Sequence, residues 1–221
     1  CEVLALSVDY GQRHRIELEH AARIAGRLGI RHEIADLSSI SRLLAGSSLT
    51  GEDIPVPLGH YEDESMKQTV VPNRNMILPS LAAAWAIAEK ADAVAYAAHA
   101  GDHAIYPDCR SEFAEALGGA IAIAAWHEAR LLRAFVDKTK TEIARLAGEL
   151  GVPVEITWRC YQAGPLPRGA CGTCIDSAAS LQLAQLDDPI DSAHHPPHLL
   201  TSHITLPPTP APCHPPATAG Q

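Results

Sequence analysis

The sequence has few aromatic residues, a deficit of positive charge and no long apolar run. Of the 221 residues 47% are hydrophobic and 5% aromatic, and no apolar run approaches the roughly 20 residues that a membrane-spanning helix requires. Lys and Arg number 17 against 26 Asp and Glu, which gives a formal net charge of −9. A chain without a broad basic surface is poorly suited to hold a phosphate backbone. The composition therefore argues against direct nucleic-acid binding and against a membrane protein.

The first residues carry no targeting signal. The chain starts at Cys1 rather than Met, and no succession of charged, apolar and small residues precedes the first apolar run. We therefore expect a cytoplasmic protein whose sequence begins inside a longer reading frame. The length suits one hydrophobic core with a small appendage.

Short apolar runs alternate with amphipathic helical patterns along the chain. This alternation predicts an α/β fold with a doubly wound, mainly parallel sheet, and ligands of such sheets bind at the carboxyl ends of the strands. A capping-box pattern at Thr139 and Glu142 marks one helix start, and Gly29 marks one helix end. The predicted strands cover residues 2–10, 31–37, 93–98 and 130–136; the predicted helices cover 13–28, 38–45, 76–90, 112–126, 140–150 and 178–186.

The composition changes twice, which divides the chain into three parts. We expect an α/β domain over residues 1–156, a Cys-rich segment over 157–186 and a disordered tail over 187–221. The tail holds nine of the 17 prolines and five of the 12 histidines, so it has too few apolar residues to order itself. Within the first part, residues 46–67 lack periodicity and predict a long loop, of the kind that is usually a lid or disordered.

Three of the six cysteines, Cys160, Cys171 and Cys174, form a C-x10-C-x2-C cluster. This spacing favours a structural metal knuckle that fixes the last segment near the pocket. The alternative is three reduced thiols in a loop. Cys213 or a tail histidine could supply a fourth ligand, at an entropic cost for ordering the tail.

Polar residues follow the predicted strands and open the predicted helices. Asp102, Tyr106 and Asp108 come after the strand at residues 93–98, although Gly, Asp and Pro also build plain surface turns. Arg74 and Asn75 open a helix, where an anion or an ordinary N-cap fits.

Lys140 lies in the first turn of a predicted helix, where a cation opposes the helix dipole, which suggests a phosphate partner. Tyr10 and Gln12, at the end of the first predicted strand, could line an adenine pocket. The neighbouring Arg13 and His14 equally fit a solvated helix start.

Several motifs occur in the order typical of one family. They are DYGQRH at residues 9–14, VPNRN at 71–75, the GD…YPDCR loop at 101–110, KTKTEI at 138–143, and TWRCY followed by CGTC at 157–174. The chain thereby resembles the 7-cyano-7-deazaguanine synthases of the ATP-pyrophosphatase (PP-loop) group over residues 2–186. Several motifs in register are more specific than any one of them.

This resemblance implies a fold, an activity and a set of roles. It implies an adenine-nucleotide α-hydrolase-like domain and an ATP-dependent ligase that converts 7-carboxy-7-deazaguanine and ammonia into 7-cyano-7-deazaguanine in queuosine biosynthesis. ATP with Mg²⁺, Zn²⁺ and a homodimer are implied as well. The implied ATP-binding residues are Tyr10, Gln12, Arg74, Asn75 and Lys140; the implied substrate-binding residues are Asp102, Tyr106 and Asp108; the implied catalytic residues are Asp102 and Lys140; and the implied zinc ligands are Cys160, Cys171 and Cys174.

The chain departs from the family pattern at two places. The SGGxDS phosphate loop that follows the family's first strand is absent, and we expect it upstream of Cys1 because residues 2–10 match the family's second strand. The position of the fourth zinc cysteine, separated by two residues from the third, is Ser177. These departures leave two alternatives open: a catalytically inactive relative that acts as a binding module, or an ATP-pyrophosphatase that adenylates a different carboxylate.

Overall fold

The computed structural model describes residues 1–51, 53–58, 64–162 and 164–189. Strands and helices alternate through most of this region, as the sequence predicts. The strands are β1 (Leu4–Asp9), β2 (Arg31–Asp36), β3 (Ala93–Ala95) and β4 (Arg130–Leu132), and the α-helices are α1 (Ile16–Leu28), α2 (Arg74–Ala88), α3 (Ser111–Ala122), α4 (Lys140–Glu149) and α5 (Gly172–Leu183).

The strands form two parallel pairs. β1 pairs with β2, with Leu4 opposite Arg31 and Asp9 opposite Asp36. β3 pairs with β4 over three residues, from Ala93 opposite Arg130 onward. Within the described residues β1 and β3 do not pair with each other, so each presents an unpaired backbone edge. The predicted parallel α/β architecture is confirmed, and it consists here of two half-sheets.

Local sequence signals set the ends of two helices. Gly29 adopts a left-handed conformation with φ 65° after α1, and its N–H closes the last turn, as its position in the sequence predicts. Thr139 caps α4: its hydroxyl accepts from the Glu142 N–H, and the Glu142 side chain accepts from the Thr139 N–H. The predicted capping box is therefore confirmed.

Helix α2 begins two residues earlier than the prediction. Asn73 takes the N-cap position with φ 56° but makes no side-chain capping bond. The earlier start places Pro79 beyond the first turn, where its missing N–H leaves the Asn75 carbonyl without its usual helical donor. Pro79 is buried and lines the central cavity.

The long predicted loop at residues 46–67 is partly described. A 3-10 helix over Glu64–Thr69 occupies its end, and the predicted short helix after β2 is a 3-10 helix over Ser38–Leu44. Residues 52, 59–63 and 163, and the predicted disordered tail from residue 190 onward, which includes Cys213, lie outside the described residues.

Small side chains dominate the core between α2, α3 and β3. Alanines on α2 let α3 and β3 pack closely, which suits a sheet covered by helices. The buried cluster comprises Ala83, Ala86, Val94, Leu117, Ile121 and Ala129. A search of the described residues finds no helix long and apolar enough to cross a membrane.

The capping box of α4 predicts a measurable loss of stability on substitution. Thr139→Ala removes the acceptor for the Glu142 N–H and should lower the free energy of unfolding by about 1 kcal/mol. Urea denaturation followed by circular dichroism measures this change. Thr141→Ala, inside the same helix, is the control and should be neutral or slightly stabilising because alanine has the higher helix propensity. Equal effects of the two substitutions would contradict the capping role.

Candidate active site

A cavity of about 580 Å³ lies between the two half-sheets. Three consecutive residues of β1, Leu6, Ser7 and Val8, line it, as do residues 94–98 of β3 and its extension. Consecutive strand residues point to opposite faces, so the strands meet the cavity with their backbone edges. Helices α1 and α2 complete the walls, through Glu17, Leu18, Ala21, Asn75, Leu78, Pro79 and Ala82. The walls are those that surround an interior strand of an α/β sheet.

Arg74 brings a positive charge to the carboxyl-end rim of this cavity. The residue is half-buried at the first position of α2. Burial on its own would lower the pKa of Arg74, but the facing Tyr10 and Tyr161 hydroxyl groups outweigh it and the pKa is raised. Arg74 also hydrogen-bonds the Tyr10 side chain. No carboxylate forms a salt bridge with Arg74 within the described part of the chain.

The Asp108–Cys109 turn is held against the start of α2. The Asp108 carboxylate accepts from the Asn75 N–H at 3.0 Å, which satisfies one of the free amides of the helix. The Asn75 side-chain amide donates to the Asp108 carbonyl at 3.3 Å and to Cys109 Sγ at 3.1 Å. The Asn75 amide and the Asp108 carboxylate therefore secure the cavity wall, and Asn75 and Cys109 also line it.

Asp102 and Tyr106 occupy the loop after β3. Asp102 lines the cavity, and its carboxylate lies 3.6 Å from His99 Nε2. Tyr106 is buried, hydrogen-bonds Thr69 and lies 3.4 Å from the Tyr161 hydroxyl. Tyr106 thus supports the cavity through Tyr161, which is a lining residue, whereas Asp102 reaches the cavity directly.

A second polar group, not among the predicted site residues, lines the cavity from α1. Glu17 accepts a hydrogen bond from Gln12 Nε2 at 3.0 Å and lies 3.3 Å from His14 Nε2. Gln12 is buried and also bonds the Val8 carbonyl and the Tyr10 N–H. The alternative of His14 as a solvated helix start is wrong, because only 4% of His14 is exposed. The spacing of three between His14 and Glu17 at a predicted helix start was the available signal.

Lys140 opens α4 and is paired across to α5. Its ammonium lies 2.8 Å from the Asp176 carboxylate. Lys140 is not among the residues that line the cavity, although its charge acts on His99 beside Asp102. A cation placed against the helix dipole suggests a phosphate partner. In the structure, the Asp176 carboxylate already compensates the charge of Lys140.

The three clustered cysteines converge as the spacing predicts. Cys171 Sγ lies 3.9 Å from Cys160 Sγ and 3.4 Å from Cys174 Sγ, and all three side chains are buried. Sulfur–metal bonds of about 2.3 Å in a tetrahedron require sulfur separations of about 3.8 Å. The cluster therefore has a geometry that could hold a metal ion, and it is the one such group found within the described residues.

The thiols of the cluster share protons with one another. Hydrogen bonds with Cys171 and Cys174 lower the pKa of Cys160, and hydrogen bonds with Cys160 and Cys171 raise the pKa of Cys174. This arrangement suits displacement of the shared protons by a cation. Ser177 follows Cys174 by three residues on α5, which places both on one helix face.

The structure brings together four of the predicted site residues. Tyr10, Arg74, Asn75 and Asp102 line one cavity. Gln12, Tyr106 and Asp108 support its walls through the bonds described above, and Lys140 lies outside the lining. Besides Glu17 and His14, Tyr161 and Cys109 are lining residues absent from the predicted set.

The strands of this chain are parallel, and polar residues surround their carboxyl ends beside a cysteine cluster. These features place the chain among the α/β proteins that bind a ligand at the strand ends. The family described as queuosine biosynthesis protein QueC matches residues 1–184. The chain belongs to this family.

Relatives of known name agree with that assignment. The chain is 48% identical over 189 residues to a 7-cyano-7-deazaguanine synthase of Hahella chejuensis, covering 86% of this chain and 81% of the relative. It is 47% identical over 189 residues to 7-cyano-7-deazaguanine synthase 1 of Colwellia psychrerythraea, covering 86% of each. A synthase of the same name from Allorhizobium ampelinum is 47% identical over 188 residues, covering 84% of this chain and 80% of the relative.

Cys109 should be chemically inert in the folded protein despite its position on the cavity wall. Burial and the nearby Asp102 and Asp108 carboxylates raise the pKa of Cys109 to about 12, so only about 10⁻⁴ of it is thiolate at pH 8. Iodoacetamide at pH 8 should label the exposed Cys1 but not Cys109, as read by peptide mass spectrometry. In urea both should react. Labelling of both at similar rates in the native protein would contradict the assignment.

Proposed function

We propose that this chain is an ATP-dependent carbon–nitrogen ligase that converts 7-carboxy-7-deazaguanine and ammonia into 7-cyano-7-deazaguanine. Membership in the QueC family and the names of the relatives support the reaction. The structural observation that carries the proposal is Arg74, a guanidinium on the wall of a cavity at the strand ends, where an anionic substrate group would find a partner.

The nucleotide is proposed to bind at the end of β1 and the start of α2. Arg74 supplies charge for phosphate oxygens, which a guanidinium binds well. Tyr10 and Asn75 line the same rim, and Gln12 fixes the backbone of Tyr10 by accepting its N–H at 2.9 Å. Mg²⁺ would arrive with the phosphates, since this ion keeps several waters and few protein ligands.

The deazapurine is proposed to bind beside the loop after β3. Asp102 presents a carboxylate that can accept from ring or amino N–H groups. Tyr106 and Asp108 would act mainly by holding the wall, because Tyr106 is buried and the Asp108 carboxylate caps α2. The purine-like ring and the nucleotide would then meet at the carboxyl-end rim of the cavity.

The proposed chemistry explains why ATP is required. A carboxylate is a poor electrophile, so its oxygen first attacks the α-phosphorus of ATP, which releases pyrophosphate and leaves an acyl adenylate. Ammonia displaces AMP to give the amide. The amide oxygen then attacks the α-phosphorus of a second ATP, which again releases pyrophosphate, and it leaves as part of AMP while the nitrile forms and the nitrogen loses its two protons. Cations such as Arg74 would stabilise the charge that develops on phosphate.

Lys140 is proposed as a catalytic cation that acts from the edge of the site. It is held by Asp176 at 2.8 Å, and its field reaches His99 next to Asp102. To contact a bound phosphate, the Lys140 ammonium would have to leave Asp176. Asp102, the other proposed catalytic residue, lies on the cavity wall itself.

Zinc is proposed as the ion of the cysteine cluster. Three converging sulfurs at tetrahedral spacing suit Zn²⁺, and the role would be structural: the adjacent Tyr161 lines the cavity, so ordering Cys160 orders a cavity wall. The proposed boundary between the nucleotide-binding region and the knuckle lies near residue 156.

A homodimer is proposed from the family resemblance. Ile123 and Trp126, which follow α3, are 87% and 105% exposed, and exposed large apolar residues often mark protein contacts. The family resemblance is also the basis on which a cytoplasmic location is proposed.

Product formation tests the reaction. The wild-type protein, ATP, ammonia and 7-carboxy-7-deazaguanine should give the nitrile in liquid chromatography with mass detection. Asp102→Asn should lower kcat/KM by about 10²-fold because a cavity carboxylate is lost, whereas Asp53→Asn, on an exposed loop, should have no effect. ATP-dependent adenylation of a different carboxylate would favour another ATP-pyrophosphatase. Binding without any turnover would favour a binding module.

The metal site yields a separate prediction. The purified protein should bind one Zn²⁺ per chain, Cys174→Ala should lose it, and Cys1→Ser should keep it. Ser177→Cys adds a fourth thiolate on the same face of α5, so it should tighten zinc binding in competition with a chromogenic chelator. Binding should weaken as the pH falls, since the thiols must lose their protons. Equal zinc content in the wild type and Cys174→Ala would contradict the cluster as the site.

A further inference from the structure

The cysteine cluster supplies three sulfur ligands, whereas a closed structural zinc site has four protein ligands. Cys160, Cys171 and Cys174 are buried, and their Sγ atoms lie within 4.8 Å of one another. No His, Asp, Glu or further Cys of the described residues joins this group. Within the described part of the chain, the usual protein ligands therefore fill three of the four positions around a metal.

The backbone around the cluster favours sulfurs in the thiolate form that a metal requires. The Gln162 N–H donates to Cys160 Sγ at 3.4 Å, and the Arg168 N–H donates to the same sulfur. Cys171 and Cys174 take the N-cap and third positions of α5, where the helix dipole favours negative charge. The donor set therefore fits a cation that binds thiolates.

The two polar residues after Ile175 are poor candidates for the fourth ligand. Ser177 stands where the family has its fourth zinc cysteine, but its neutral hydroxyl is not among the ligands that zinc sites commonly use. Asp176 has a suitable carboxylate, but that carboxylate lies 2.8 Å from the Lys140 ammonium of α4. The described protein groups thus leave the fourth position to a small molecule.

Two buried polar atoms beside the cysteines lack a hydrogen-bond partner in the described chain. They are Gln162 Oε1 and Thr173 Oγ1. Gln162 contacts Cys160 through its N–H, and Thr173 lies between Cys171 and Cys174 in the first turn of α5. A buried polar atom without a partner costs about 1–3 kcal/mol. A water bound to the metal has two O–H groups to offer to such acceptors.

The surroundings of the cluster favour a neutral fourth ligand over a negative one. Val56 is buried with the cysteines, and Trp158 and Tyr161 pack against them. Zn²⁺ with three thiolates carries one net negative charge, and a fourth thiolate would add a second. Because an extra buried charge is costly among apolar side chains, a neutral donor suits this position better.

We propose that the metal site of this chain is open: Cys160, Cys171 and Cys174 hold the ion, and its fourth position binds a small neutral donor, which is water when no other donor is present. That position exchanges its water for small nitrogen or sulfur donors, as the open position of a catalytic zinc site does. The proposal rests on the proposed zinc site and is independent of the proposed reaction.

Visible absorption of the full-length protein loaded with Co²⁺ tests the open position. Co²⁺ reports the number and type of its ligands through d–d bands and through sulfur charge-transfer bands in the near ultraviolet. Imidazole, a small neutral nitrogen donor, should shift the d–d bands of the wild type in a saturable manner. The charge-transfer bands should persist, because the three thiolates stay bound. Ser177→Ala should respond like the wild type, since the hydroxyl is not a ligand.

Ser177→Cys is the matched variant with a closed site. A fourth thiolate should raise the charge-transfer intensity by about a third and abolish the response to imidazole. Cys213→Ser should match the wild type in both measurements. If Ser177→Cys takes up no cobalt, X-ray absorption at the zinc edge of the wild type is the second measurement, and it should show three sulfurs and one oxygen.

The outcomes separate the open position from the zinc site and from the reaction. A wild type that binds Co²⁺ without any response to imidazole overturns the open position. Loss of charge-transfer intensity in Cys213→Ser, or imidazole-ring scattering at the zinc edge before imidazole is added, also overturns it, because residues of the tail would then supply the fourth ligand. A protein that takes up neither metal overturns the zinc site as well. An imidazole response without nitrile formation supports the open position and contradicts the proposed reaction.

Discussion

Burial of the Arg74 guanidinium at the start of α2 is the interaction on which the arrangement of the site depends. A partly desolvated cation at a helix N-terminus is doubly unfavourable, because burial and the helix dipole both oppose its charge. Hydroxyl groups from two separate segments face the guanidinium: Tyr10, which hydrogen-bonds it from the end of β1, and Tyr161 from the cysteine segment. Segments far apart in sequence therefore converge on one charge.

The cysteine cluster supports this convergence from one side. Trp158 Nε1 donates to the Cys160 carbonyl at 2.7 Å, and Cys171 forms an antiparallel bridge with Leu58. Tyr161 follows Cys160 directly and contacts the His14 ring at a centroid distance of 5.7 Å. A metal that fixes the three sulfurs would thus fix Tyr161 against Arg74 and His14. The proposed structural ion and the proposed nucleotide site are connected through one residue.

The two half-sheets explain the shape of the cavity. The edges of β1 and β3 face it, and α1 and α2 line it, so its surroundings are those of an interior strand. In such a sheet the loop that follows the interior strand emerges at the rim that holds Arg74 and Asn75. The phosphate loop that the family carries after its first strand would suit that position.

The sequence predicted the elements whose signals are local. Helix α1 and its Gly29 stop, the capping box of α4 and the parallel strands were recognisable because periodicity and capping depend on neighbouring residues. The shortness of β3 and β4 was not, since pairing over only three residues is set by partners distant in sequence.

The same distinction holds for the site. The order of the motifs indicated Arg74, Asp102 and the cysteines. Arg74 and Asp102 could be expected to lie close together because ligand sites form at the carboxyl ends of the strands. The three cysteines could be expected to converge because of their spacing. The Asp108 cap on α2 could not be predicted, because it arises from a contact between segments 33 residues apart. Glu17 was missed although its spacing of three from His14 is a local signal. Lys140 differs from these residues. Its position in the first turn of a helix, where a cation opposes the dipole, is visible in the sequence. Its partner, Asp176, lies 36 positions away, so the ion pair could not be predicted.

The affinity for ATP after neutralisation of Arg74 tests the central claim most directly. Isothermal titration of ATP with Mg²⁺ into the wild type, Arg74→Met and the control Arg23→Met compares the half-buried guanidinium with an exposed one. Loss of a charged hydrogen bond worth about 1.5–3 kcal/mol predicts roughly 10- to 150-fold weaker binding for Arg74→Met alone. Equal affinities of the three folded proteins would contradict the account.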